Sequence, residues 1–569
     1  MNAPLQHGLD AVSLEILLNS LRSIADETYI ALMRSAYSTN IKERNDHSTA
    51  LMDPSGRLIA LCEASQPIHL SSMLGLTAHV LARYPLDEIR DGDLFIGNDP
   101  FVAGGTHLPD VNMTFPVFAD GRLLCFVCNI AHHADIGGMS PGSMSGGTEI
   151  YQEGLRIPPI RLFREGVLDR DLMDMVLLNV RVPDERRGDY NAQIAACRLG
   201  ARRVGELVGQ HGAARLTAAF DQIIERTHRR MLHAAAAIPA GTYRFVDKMD
   251  DDGHGNLDMP IAVTITADGE RPVRFDFEGS SSAVKGNINC PYTATQSSVA
   301  YVFRAMVDPG APINQGLLDA MDVVAPLGSI VNAAFPSAVA GRANTCQRII
   351  DTVIGALAAA MPDVAVAASN GANTAAIFSG SDPATGAPYV YLETVGGGFG
   401  GRVGKDGKDG VQVHLINTSN LPVEAIESEY PLMVESYGFI EDSGGAGRTR
   451  GGLGLRRVIR PRGGPTMFSG QGERFRNAPW GIFGGSEGGR GRFLKRGGDG
   501  VEEVLKNKPS RVMIAPDEAL IVETAGAGGY GPPDERPKEA IAEDRRSGKF
   551  SADWLAHHYP DQSTAEQQQ

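Results

Sequence analysis

Cysteine is scarce in this chain, six among 569 residues, and the six lack framework spacing. That excludes a disulfide scaffold and points to reduced thiols. Aromatic residues make up only 6%, so there is little sign of stacking platforms for nucleobases. Positive charge is also in deficit: 53 Lys and Arg stand against 68 Asp and Glu, a formal net charge of −15. The most basic stretch, residues 448–464, is broken by glycine and apolar residues and reads as strands with cationic edges. Nucleic acid is therefore set aside as a partner. No run approaches the roughly 18 apolar residues of a membrane span. The opening MNAPLQHGLDAVSLEILLNSL has no cationic leader before an apolar core, so no membrane partner and a cytoplasmic location are expected.

Two nucleotide motifs are missing as well. GGGFGG at 396–401 matches a dinucleotide fingerprint in letters, but RVGKDGKDG and the strand VQVHLIN follow where a helix should receive the pyrophosphate. No G-x-x-x-x-G-K-[ST] loop exists, and no G-x-S-x-G elbow. If ATP is used, another chain binds it.

Glycine is plentiful, 67 residues, which suggests tight turns and close backbone approaches. Length alone predicts two to four domains, and the mixed patterning predicts a multi-domain α+β fold. Apolar spacing predicts a helix over 13–37, capped by Asp10 or Ser13. STALMD and RLIALC around DPSG form a predicted hairpin, as does VNMTFPVFADGRLLCFVCNIA around Asp120-Gly121. SSMLGLTAHVLARY reads as a helix and DLFIGNDP as a strand. Residues 166–237 are expected to be mostly helical, with one long amphipathic run from about Tyr190 to Ala237. These signals divide the chain into an N-terminal α/β domain with the candidate metal site (1–239), a mixed β/α domain (240–387), a Gly-rich β domain (388–531) and a polar tail (532–569).

The densest chemistry lies in GNDPFVAGGTHLPD and NIAHHADIGG, which hold His107, Asp110, His132, His133 and Asp135. Two imidazoles with carboxylates suit Zn²⁺, Mn²⁺ or Fe²⁺ better than an all-oxygen cage for Ca²⁺ or Mg²⁺. Taken singly, each group reads as a turn aspartate or a core histidine. Two clusters joined by a hairpin favour a metal or acid/base site. Asp46 and His47, in ERNDHS, read on their own as a turn. Cys125 and Cys128 form a C-x-x-C inside an apolar strand with no second pair, and are expected to be buried hydrophobes. Asp250, Asp251 and Asp252 look like a loop between strands.

The strings SLEILLNSLRSIADE, NIKERNDHSTALMDPSGRLIA, NDPFVAGGTHLPDV and AHHADIGG resemble the hydantoinase B/oxoprolinase family. Later segments agree, among them GNINCPYTA, GGGFGGRVGKDGKDGVQVHLINTSNLPVEAIESEYPL and YGFIEDSGGAGRTRGGLG, so the resemblance spans roughly residues 12–530. It implies the B subunit of an ATP-dependent enzyme that opens a small cyclic amide such as a hydantoin, 5-oxoproline or a lactam. A hydantoinase A-type partner would bind ATP and phosphorylate the substrate oxygen, in an assembly expected to be (AB)2. The family's metal pattern falls on Asp46, His107, Asp110 and His132. Whether His132 or His133 is the ligand stays open, because adjacent strand residues point opposite ways. His133 and Asp135 then become acid/base candidates beside a divalent transition metal that activates water. The alternatives are a ketone carboxylase component and a non-catalytic scaffold for the A-type partner.

Overall fold

The computed structural model describes residues 9–144 and 146–560. It is built around four sheets. The first has seven antiparallel strands in the order β2-β1-β5-β4-β3-β6-β7. Its members are β1 (His47–Met52), β2 (Leu58–Leu61), β3 (Leu94–Gly97), β4 (Asp110–Ala119), β5 (Arg122–His132), β6 (Ile160–Arg164) and β7 (Val167–Leu168). The two predicted hairpins are both present. Asp120 and Gly121 turn the second with φ of 51° and 73°, the left-handed pair that matches strand twist.

Helices cover this sheet. Helix α1 (Ala11–Ser35) is capped by Asp10, whose carboxylate accepts from the amides of Val12 and Ser13. A short α2 (Thr39–Lys42) leads into β1, and α3 (Leu70–Arg83) follows the 3₁₀ turn Pro67–His69. After α4 (Arg170–Leu178) the expected single run is two helices, α5 (Pro183–His211) and α6 (Ala213–Ala235). Gly212 separates them with φ of 80°, a conformation that terminates α5. The sheet's own faces explain the cysteine pair. Cys128 packs in the core that includes α3, and Cys125 in the core beneath α1, on the other side.

The second sheet runs β11-β10-β9-β8: β8 (Gly241–Asp251), β9 (Leu257–Ala267), β10 (Val273–Asp276) and β11 (Met321–Val324), the last pair parallel. Helix α7 (Tyr292–Val307), a short α8 (Gln315–Leu318) and the almost wholly buried α9 (Arg342–Leu357) pack beside it. Residues 374–395, 466–471 and 512–514 form a third sheet, and five further strands between 432 and 523 form a fourth.

The core is continuous across the division drawn at 239. Phe126, Met231, Val299, Ile349 and Leu415 belong to one buried cluster. The 387/388 division falls inside a hairpin, because Thr374–Ser381 pairs antiparallel with Pro388–Val395. The tail is tied down as well: Arg536 bridges Asp406 at 2.7 Å and Asp544 at 2.6 Å. The glycine excess is explained by backbone packing in the 396–531 region. A Cβ on Gly400 would stand 1.9 Å from the Ala367 carbonyl oxygen, and one on Gly526 1.8 Å from that of Ser443. No helix follows the GGGFGG string before Val423. Among the described residues, no helix is long and apolar enough to cross a membrane.

Candidate metal centre

Strand register assembles the site. In the first sheet β1, β5 and β4 are neighbours, and Asp110 stands directly opposite His132 across the β4–β5 ladder. His47 pairs with Ala131, and the His132 amide donates to the Asp46 carbonyl at 3.0 Å. Three chain segments therefore deliver Asp46, His132 and Asp110 to one end of the sheet. His107 joins from the loop before β4, its Nε2 3.2 Å from Asp110 Oδ1. His107, Asp110 and His132 each offer a ligand atom, and these atoms lie within 4.8 Å of one another.

The surroundings orient these groups. The Ala340 carbonyl lies 3.1 Å from His107 Nδ1 and accepts a proton held there, which turns Nε2 toward the cluster as a free lone pair. Thr106 Oγ1 donates to Asp110 Oδ2 at 2.7 Å and Arg342 at 2.5 Å. His107 Nε2 and Asp110 Oδ1 are buried with no hydrogen-bond partner. Buried polar atoms rarely stay orphaned, and this pair has the donor chemistry of a divalent ion site. Burial alone would raise the Asp110 carboxyl, but His107, Arg342 and His69 hold it well below the usual range. Burial pushes His107 down to about 4 and holds His132 well below the usual imidazole range. Both imidazoles are neutral at pH 7, the form that ligates.

Asp46 sits at the edge, 14% exposed, its carboxyl raised by burial against the pull of His69 and Arg44. It reaches the cluster through His69, a residue that the sequence patterning did not single out. His69 Nε2 lies 3.8 Å from Asp46 Oδ1 and 3.6 Å from Asp110 Oδ1, and Nδ1 is 2.9 Å from Ser48 Oγ. Arg342, equally unforeseen, comes from the start of α9. Asp46, His69, His132, Arg342 and Met144 line a cavity of ≈ 20 Å³, room for about one water or ion.

The other two candidates lie elsewhere. His133 points to the opposite face of β5, where its ring stacks on Tyr190 at 4.4 Å and Nε2 is 3.0 Å from Gln193 Oε1. Asp135 ties a loop together, accepting from the amides of Gly137, Gly142 and Arg181 and from the Arg181 guanidinium. Neither belongs to the His107–Asp110–His132 group of converging ligand atoms. Asp250 and Asp252 are likewise spent on turns, Asp250 on the amides of 475–477 and Asp252 on those of His254 and Asn256. Sequence offered little signal for His69. In PIHLSSML it opens a helix among apolar residues, as a core histidine would.

Fold and site together define a multi-domain α+β protein with a buried, histidine- and carboxylate-lined candidate centre for a divalent metal. The chain belongs to the hydantoinase B/oxoprolinase family, whose model matches residues 10–533. It is 33% identical to the B subunit of a putative D-/L-hydantoinase of Pseudomonas sp. (strain NS671), over 95% of this chain and 93% of that one. It is 34% identical to 5-oxoprolinase 1 of Arabidopsis thaliana over 92% of its length, but spans only 42% of that longer protein. Among solved structures, the ATP-dependent caprolactamase from Pseudomonas jessenii superposes with a TM-score of 0.89 at 28% identity, covering 97% of this chain and 96% of that one.

Proposed function

We propose that this chain is the metal-binding B subunit of an ATP-dependent cyclic-amide hydrolase. It opens a hydantoin, 5-oxoproline or lactam ring after an A-type partner has phosphorylated the amide oxygen. The observation that carries this reading is the orphaned pair, His107 Nε2 and Asp110 Oδ1, beside His132, with Asp46 lining the same cavity as His132. The likeness to the Pseudomonas hydantoinase chain and to the caprolactamase, over nearly the whole length, supports it. That hydantoinase relative is itself one component of a larger enzyme, which favours a companion A-type chain here.

Asp46, His107, Asp110 and His132 would hold the ion. A divalent ion there would supply Lewis acidity to a bound water and to an oxygen of the substrate, which makes the adjoining carbon more electrophilic. The protein does the rest. Ala340 fixes the His107 tautomer through its carbonyl. Arg342 and Thr106 occupy Asp110 Oδ2 and so leave Oδ1 as the free oxygen. His69 Nε2, within 4 Å of both carboxylates, is placed to pass a proton to or from the reacting group. We assign that role to His69 in place of His133 and Asp135, which face away.

The test is co-expression with an A-type partner. ATP consumption and ring-opened product are then measured against hydantoins, lactams, 5-oxoproline and, with bicarbonate, ketones. Ring opening coupled to ATP use is expected for at least one cyclic amide, and its loss on Asp110→Ala. Carboxylated ketone with no ring opening would replace this reading with a carboxylase.

A further inference from the structure

The ≈ 20 Å³ cavity at the metal centre cannot hold a five- to seven-membered ring. A second cavity adjoins it. This outer chamber, ≈ 490 Å³, is lined by Gly146–Gly147, Asp252–His254, Asn287, Gln471 and the 505–512 segment. Its size is that of a small-molecule site. Two contacts make it a neighbour of the metal cavity. Asn287 Nδ2 and Gln471 Nε2 both donate to the Met144 carbonyl, at 3.1 and 2.9 Å, while Met144 itself lines the inner cavity. A Cβ on Gly341, next to Arg342, would stand 3.1 Å from Asn287 Oδ1 and 3.3 Å from Gln471 Oε1. Met144 and the Gly341–Arg342 turn thus touch residues that line both spaces.

The chamber carries recognition chemistry that the fold does not use. Gln471 is 2% exposed, yet its Oε1 has no hydrogen-bond partner. Its two N–H groups are spent on Met144 and on Asn287 Oδ1, so the free atom is an acceptor. Lys508 is committed to Glu473 at 2.8 Å, and Asp252 to its own turn. Lys506 lines the same space, is exposed, and makes no ion pair among the described residues. A free cation at the rim and an unpartnered acceptor closed off just behind the lining, which a shift of the Met144 side would uncover, match a ligand with an anionic group and a ring N–H.

We propose that the outer chamber is the receiving site for an anionic cyclic amide, with Lys506 pairing its anionic group, phosphoryl or carboxylate, and Gln471 Oε1 accepting a ring N–H. Met144 is the partition the ring displaces to reach the metal. Methionine suits that place, since its unbranched side chain repacks at low cost. This inference rests on the proposed function for its ligand class, but its test does not need turnover.

Calorimetric titration of the purified chain with inorganic phosphate, and separately with 5-oxoproline, decides it. Saturable binding of at least one is expected; phosphate alone marks the phosphoryl group as the anion received, and 5-oxoproline alone the carboxylate. Lys506→Glu should weaken that binding at least tenfold, while Lys538→Glu, a charge reversal off the chamber, should leave it unchanged. Gln471→Met should weaken 5-oxoproline and spare phosphate. Absence of saturable binding to the wild type, or binding indifferent to Lys506→Glu, overturns the proposal. Binding that behaves as expected in a chain whose A–B pair opens no ring would sink the proposed function and leave the chamber standing.

Discussion

At the scale of single residues, the site separates holding groups from a proton-handling group. His107 Nε2 and Asp110 Oδ1 are buried without partners, so His107→Ala and Asp110→Asn should each leave the purified protein without stoichiometric metal. His69 has a different position, its Nε2 3.6 Å from Asp110 and 3.8 Å from Asp46. His69→Gln should retain metal while kcat falls by about 10²–10⁴, the usual span for a general acid or base. Metal analysis beside kcat of the reconstituted pair separates the two roles, and metal loss in His69→Gln would make it a ligand instead. Sequence could show His107, Asp110 and His132, because a hairpin brings them together over short range. It could not show Arg342, which stands 232 positions beyond the Asp110 it contacts. Nor could it choose between His132 and His133 before the β4–β5 register was known: Asp110 opposite His132 leaves His133 for the α5 face.

At the scale of elements, α3 and the loop carrying His107 meet backbone to backbone. A Cβ added to Gly75 would lie 2.5 Å from the Gly104 carbonyl oxygen. Both segments matter to the site, since His69 immediately precedes α3 and His107 ends the Gly104 loop. Gly75→Ala should therefore cost about 1–3 kcal/mol by overpacking and also weaken metal affinity by parting His69 from Asp110. Thermal unfolding and a metal titration on the same variant check both. A lower Tm with unchanged affinity would show that the loop shifts as a rigid unit. Hairpins and amphipathic helices were legible because period and turn residues are local signals. The break at Gly212 was hidden because apolar spacing continues on both sides of it. The 374–395 hairpin was missed as a unit because its loop, DPATGA, coincides with a change in composition that reads as a boundary.

At the scale of the whole molecule, a buried cluster that crosses the 239 division and several buried ion pairs join the segments, so stability should answer to pH as a shared property. Burial pushes His47 down to about 3 and His107 and His133 to about 4, from an ordinary 6.5. The unfolded chain takes up protons below pH 6.5 that the folded chain refuses, so these three groups remove stability as pH falls from 6.5 toward 4. The ceiling is about 1.4 kcal/mol per pH unit for each. Glu153 acts in the opposite sense. Burial raises its carboxyl from 4.5 to about 8, against the pull of the Ala340 and Val339 amides it accepts from. Its contribution is complete below 4.5 and is lost as pH rises toward 8. Between 4.5 and 6.5 the buried histidines, His132 among them, outweigh Glu153; above 6.5 the buried carboxyls, Glu153 foremost, remain. The metal-free chain, held in chelator, should therefore show its highest Tm near pH 6.5, with a steep acid limb and a shallow alkaline one. Glu153→Gln should flatten the alkaline limb and leave the acid limb in place. A Tm that rises steadily to pH 8 in the wild type would mean that Glu153 is ionised in the fold, held as a carboxylate by those two amides.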